Sequence, residues 1–172
     1  ASDVYKRQLS GDSLARTIQR ELRGFTSQSI VGYENGPYSL SLLGIQTNRD
    51  GTLALNPAKM KKAFEVNPII VDAIFKNQLT SDNADVSVNT IGRDTKPGSY
   101  AITQSGSKYL IDGTAMSARG DAYTSNSGDS SGMGINISSS DVSGANVYYG
   151  KSLLSLVDTD LTNYLAFNGD IN

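Results

Sequence analysis

Lys108-Tyr109-Leu110-Ile111-Asp112-Gly113-Thr114-Ala115-Met116-Ser117-Ala118 is the stretch that decides the fold. Asp-Gly tolerates two successive left-handed residues, which is what the tightest hairpin turn demands. Tyr109 and Ile111 alternate with their neighbours just before it, the period of a half-buried strand. The stretch therefore predicts two antiparallel strands, Lys108–Ile111 and 114–118. The same alternation recurs on both sides. Val86 and Val88 lead to Ile91, and Tyr100 and Ile102 follow Lys96-Pro97-Gly98. Residues 122–125, 134–138 and 146–149 add further short runs, for a predicted six- or seven-stranded antiparallel unit. Of the 74 residues from Asn77 to Gly150, 36 are Ser, Gly, Thr or Asn, which disfavours helix throughout that span. A low net charge with recurring apolar alternation favours strands over disorder.

Outside this span the period changes. Asp12 is placed as an N-cap, with Leu14, Ile18, Leu22 and Phe25 on one helical face and Arg16, Arg20 and Arg23 on the other. Asn56-Pro57 and Asn67-Pro68 each join a capping side chain to a proline at the first helical position. The first of these helices is expected to present Met60, Ala63 and Phe64, the second Val71, Ile74 and Phe75. Both are expected to dock on the Leu14–Phe25 helix, with Phe75 inside. Asn48-Arg49-Asp50-Gly51 reads as a turn before Leu53 and Leu55. From Lys151, Leu153, Leu154, Val157, Leu161 and Leu165 form a second helical stripe ending near Gly169. The fold class expected is α+β: helical segments flanking an inserted antiparallel β-rich domain whose two ends lie close together.

Composition narrows the chemistry. The 172 residues contain 15 Lys and Arg, 17 Asp and Glu, and neither His nor Cys. No disulfide framework, thiol nucleophile, imidazole base or His-ligated metal is therefore open to this chain. The net charge of −2 argues against a phosphate-backbone binder, so no nucleic-acid partner is expected. No apolar run reaches the roughly 20 residues that span a bilayer, and no membrane partner is expected. The charge is also uneven, at +3 before Asn77 and −5 after it.

The motifs that suggest catalysis fail on their own chemistry. Gly11-Asp12-Ser13-Leu14 matches a serine-esterase nucleophile motif, and Gly128-Asp129-Ser130-Ser131-Gly132 matches the serine stretch of trypsin-like proteases. Each needs a histidine to take the serine proton. A helix cap and a polar loop are the better readings. Gln46 to Gly51 has the outline of a calcium loop, but Gln46 and Pro57 stand where carboxylates are required. Asp158 and Asp160, two apart on a helix, point in different directions. Lys59, Lys61 and Lys62 read as a solvated helix face, and Tyr148-Tyr149 as core rim. No catalytic, cofactor-binding or metal-ligating residue is assigned, no cofactor is expected, and the chain is read as a non-enzyme.

Several segments, taken in order, carry a resemblance. They are Leu9-Ser10-Gly11-Asp12-Ser13-Leu14-Ala15-Arg16, Leu43-Gly44-Ile45-Gln46-Thr47, Arg49-Asp50-Gly51-Thr52-Leu53, Ala63-Phe64, and Asn67-Pro68 through Ile74-Phe75. With Thr95 to Tyr100, Ile111-Asp112-Gly113 and Val147 to Leu153, they are similar to the bacterial flagellar filament cap family, hook-associated protein 2. Phe64 stands where that family usually has Leu. The resemblance covers Leu9 to the end. It implies a secreted structural protein that self-associates in a ring-like cap at the flagellum tip. It further implies flagellin and hook–filament junction proteins as partners, and a fragment lacking the family's terminal coiled-coil helices.

The expected organisation follows. Residues 1–8 are a non-native leader, since Asp3-Val4-Tyr5-Lys6-Arg7-Gln8 is the translation of a transposon end used in DNA library preparation. Residues 9–76 form the helical part of the core domain, 77–150 the inserted β-rich domain and 151–172 the returning helix. A secreted adhesin or glycan-binding module is the alternative, and a His-free serine hydrolase using Ser13 is a more distant one.

Overall fold

The computed structural model describes Arg20, Gly24, residues 26–140, Val142, residues 144–159 and Thr162. Expectations resting on the leader, on Ser13, on the Leu14–Phe25 stripe, and on Asp160, Leu161, Leu165 and Gly169 lie outside these residues. The described residues fall into two compact units. One holds Tyr38–Ile70 with the described residues before Ile30; the other holds Ile30–Pro37 and the chain from Val71 onward.

In the first unit, strands β1 (Ile45–Thr47) and β2 (Leu53–Leu55) pair antiparallel, with Gln46 opposite Ala54. Their loop is closed by its own side chains. Asp50 Oδ1 accepts from Thr52 N at 3.0 Å and from Thr52 Oγ1 at 2.7 Å, and Gly51 takes φ +89°. The Pro57–Val66 helix starts as the Asn-Pro pair predicts, with Asn56 Oδ1 accepting from Lys59 N at 3.0 Å. Asn67 ends that helix through its backbone N–H to Ala63 O. It then opens the next, its Oδ1 accepting from Ile69 N at 3.1 Å. Leu43 and Tyr38 are buried, and the Tyr38 hydroxyl accepts from Asn67 Nδ2.

The Ile69–Phe75 helix corrects one expectation. Its buried residues are Ile70 and Ala73, whereas Val71 and Ile74 are half-buried and Phe75 is 60% exposed. Ile70 and Ala73 are three apart, so the inward stripe is displaced from the one predicted on Val71, Ile74 and Phe75. Phe64 too is exposed, and no residue of the Pro57–Val66 helix is buried.

In the second unit, antiparallel strands form two sheets. One has the order β3 (Gln78–Ser81), β11 (Ala145–Gly150), β5 (Gly98–Ser105), β6 (Lys108–Ile111), β7 (Thr114–Ala115). The other has the order β4 (Val86–Thr90), β10 (Gly134–Ile137), β9 (Ala122–Thr124), β8 (Ser117–Arg119). Inward positions alternate as the period-2 reading requires. Tyr100 and Ile102 of β5, Ile135 and Ile137 of β10, and Ala145 and Val147 of β11 are buried in one cluster built from both sheets.

Asp112 at φ +46° and Gly113 at φ +75° make the predicted two-residue turn, with Ile111 opposite Thr114. The strand after it is a correction. In place of one strand over 114–118, β7 pairs in the first sheet, Met116 turns inward at 8% exposure, and β8 joins the second. Met116 N donates to Tyr109 O at 3.0 Å, anchoring the crossing. A strand that changes sheets at a bend is one way two layers share a corner. The count is corrected with it: among the described residues nine short strands stand where six or seven were expected.

Candidate functional site

The entry and exit of the β-rich excursion meet as neighbours. Gln78 is opposite Gly150 in the β3–β11 pair, and Asn77 Oδ1 accepts from Ser152 N at 2.8 Å. Ser152 Oγ in turn accepts from Ser155 N at 3.2 Å, capping the helical residues 153–159 that follow.

A third segment closes this junction. Tyr33, 2% exposed, donates its hydroxyl proton to Lys76 O, just before β3. Its ring lies over Gly150, the last residue of β11, so closely that a β-carbon there would stand 2.6 Å from Tyr33 Cζ. The preceding Gly32 takes φ +82°, and a β-carbon on it would overlap Tyr149 O. Only glycine meets both conditions, because it lacks that carbon and tolerates positive φ. The segment then turns at Tyr33-Glu34-Asn35-Gly36, where Gly36 N donates to Tyr33 O at 3.1 Å and Asn35 takes φ +58°. Burial, and secondarily the Asp72 carboxylate, pushes the Tyr33 hydroxyl up to about 12.

Beside this clasp lies a shallow recess of about 300 Å³. It is lined by Val31, Gly32, Tyr33, Gly36 and Pro37 on one side and by Pro97, Gly98 and Ser99 on the other. Tyr100, behind Gly98, directs its one hydroxyl proton at the carbonyls of Lys96 and Asp129, which share it. Burial, then the charges of Asp129 and Asp112 and the Tyr149 hydroxyl, raises it to about 12. The recess is lined mostly by apolar residues and glycines, with Ser99 and Tyr33 the hydroxyl-bearing residues among them.

A second polar group sits where β3 gives way to the loop before β4. Asp82 Oδ1 accepts from Asn146 N at 2.7 Å. Its Oδ2 accepts from Asn146 Nδ2 at 2.8 Å and from the Tyr148 hydroxyl at 3.3 Å. Partial burial raises the Asp82 carboxyl, but these donors outweigh it and hold it below its ordinary value. The carboxylate acts as a tie between β11 and the β3 end.

The residues singled out by motif are placed in structural roles. Ser130 is 4% exposed and bonded to Ser125 Oγ at 2.7 Å. Its loop is fastened by Lys96 N to Asp129 O at 2.8 Å, and by Thr95 Oγ1 to Ser131 O at 2.7 Å. Asp50 is consumed by its turn. Lys59, Lys61 and Lys62 are exposed, with Lys61 Nζ 3.9 Å from Glu65. Tyr148 and Tyr149 are half-buried, and Tyr149 packs on the core. Among the described residues no group of three or more acidic side chains is placed to hold a metal. No described helix is long and apolar enough to cross a membrane. Sequence reading passed over Tyr33 altogether. Its one signal was a buried-type aromatic between two glycines and a turn, which has no period to detect.

Against known proteins, residues 6–139, well over half of the chain, match the family described as the C-terminus of flagellar hook-associated protein 2. A comparison with curated proteins found no match, and one with solved structures found none.

Proposed function

This chain belongs to the flagellar hook-associated protein 2 family, and from that premise we propose that it is part of a filament cap, an assembly device at the tip of the bacterial flagellum. The family is one of structural flagellar proteins rather than enzymes. In this reading the protein acts outside the cell after export. It associates with copies of itself in a ring and guides flagellin into the growing end beyond the hook–filament junction proteins. The observation that carries the proposal is the family match itself, which covers residues 6–139 and so reaches through β10.

The geometry is consistent with such work. The two-sheet body is entered and left on adjacent antiparallel strands, β3 and β11, so its two ends lie side by side.

The test is replacement. Residues 9–172 should be exchanged for the corresponding segment of the cap protein in a motile bacterium, with the resident segment reinserted through the same junctions as control. Swimming and attached filaments are expected from both. A stably exported chimera that leaves flagellin unpolymerised in the medium, while the control swims, would overturn the proposal.

A further inference from the structure

We infer that Asn35 is a site of spontaneous covalent modification, deamidating through a succinimide to aspartate and isoaspartate and thereby loosening the Tyr33 clasp. Three dipeptides among the described residues have glycine after Asn or Asp: Asn35-Gly36, Asp50-Gly51 and Asp112-Gly113. A following glycine matters because no β-carbon shields its nitrogen from the side-chain carbonyl.

What separates the three is whether that side chain is held. Asp50 Oδ1 accepts from Thr52 N and Oγ1, and Asp112 Oδ1 accepts from Ala101 N at 2.8 Å. Asn35 is exposed, and its amide makes no hydrogen bond among the described residues. It is also the one asparagine of the three, with ammonia rather than hydroxide as leaving group.

The step balances within the chain and water. Gly36 N loses its proton and attacks Asn35 Cγ, forming a C–N bond as the side-chain nitrogen leaves as ammonia. Water then opens the five-membered imide at either carbonyl. Opening at the backbone carbonyl leaves the chain running through the former side chain, one methylene longer. The Gly36 N–H bond to Tyr33 O opposes attack. It is a 3.1 Å bond in an exposed turn, worth about 1 kcal/mol, or roughly fivefold in rate.

The consequence follows from where the turn stands. Asn35 lies two residues from Tyr33, whose ring has no slack over Gly150. An added methylene and a new carboxylate next to Glu34 act on the segment that joins entry and exit of the β unit.

The test is ageing of the intact chain at mildly alkaline pH and 37 °C, beside the tryptic peptide spanning residues 24–49. Fragment-ion mass spectrometry would locate any gain of about 1 Da. Conversion at Asn35 within about tenfold of the peptide's rate is expected. The aged chain should melt at a lower temperature than the fresh one, and Asn35→Gly, which keeps the positive φ, should show no ageing shift. The site is overturned if Asn35 converts more than a hundredfold slower than in the peptide, or if Asn126 or Asn136 converts first. The loosening is overturned if full conversion leaves the melting temperature unchanged.

Discussion

If the Tyr33 ring and Gly150 fit each other as tightly as the structure indicates, their substitutions cannot be independent. Gly150 has no positive φ, so alanine there carries no backbone strain, and its whole cost must come from the added methyl group. That methyl would stand 2.6 Å from Tyr33 Cζ and 2.7 Å from Cδ2, nearly 1 Å inside ordinary carbon contact. Overpacking of this kind costs about 1–3 kcal/mol. Tyr33→Ala removes a buried aromatic at about 3–5 kcal/mol, including about 1 kcal/mol for the hydroxyl bond to Lys76 O. In the double variant the methyl group enters space the ring has vacated. Gly150→Ala should then cost nearly nothing, giving a coupling of about 1–3 kcal/mol opposite in sign to the single penalties. Urea unfolding followed by circular dichroism, with m-values compared across the four proteins, measures this. Additivity within about 0.5 kcal/mol would refute the clasp.

Phe75→Ala should lower the unfolding free energy far less than loss of a core ring, by about 1 kcal/mol or below, because the ring is 60% exposed; a loss above about 3 kcal/mol in urea unfolding would show it covered. Alkaline pH should unfold the β unit early. Tyr33 and Tyr100 are raised from 10.0 to about 12, so the stability their protonated forms contribute is complete below pH 10 and lost as pH rises from 10 to 12. Tyr33→Phe should flatten part of that decline, and an unchanged slope would remove Tyr33 from the account. Excising residues 77–149 behind a short Gly-Ser bridge should give a remnant that aggregates, since Ile30, Tyr33 and Leu153 are buried at 1%, 2% and 4% exposure in the intact chain; a monodisperse remnant would show these residues to be covered by something other than the β unit.

The hairpin at Asp112-Gly113 was legible because its chemistry is local: two left-handed residues leave few alternatives to that dipeptide. The Asn56 and Asn67 caps were legible for the same reason. Met116 was not. Whether a strand stays in its sheet or crosses to the next depends on what lies beneath it, and the alternation of 114–118 is the same either way. Phe75 was misplaced because seven residues make two turns, too few for periodicity to fix which face is inward. Had Ile70 and Ala73 been weighed as a pair three apart, the sequence would still have offered both stripes equally. The clasp was hidden for a further reason. It joins residues more than a hundred positions apart, Tyr33 and Gly150, and nothing near either one signals the other.

The abundance of Ser, Thr, Asn and Gly in the β unit, which sequence alone could assign only to turns, has a more definite use. These residues fasten loops to one another. Thr95 Oγ1 both donates to Ser131 O and accepts from Gly92 N. Gly92 and Gly132 approach so closely that a β-carbon on the first would stand 2.6 Å from Cα of the second. Ser125 and Ser130 share a buried bond within the loop that carries Gly132, and no described buried side-chain polar atom lacks a partner. Short polar side chains and bare glycines can satisfy buried backbone at such distances; longer ones would have to be bent away or desolvated. The serine stretch Gly128–Gly132 therefore resembles a protease motif for a reason unrelated to proteolysis. A loop that must lie flat against another loop, with its hydroxyls turned inward, calls for the same small residues as a loop that exposes a nucleophile, and burial of Ser130 distinguishes the two.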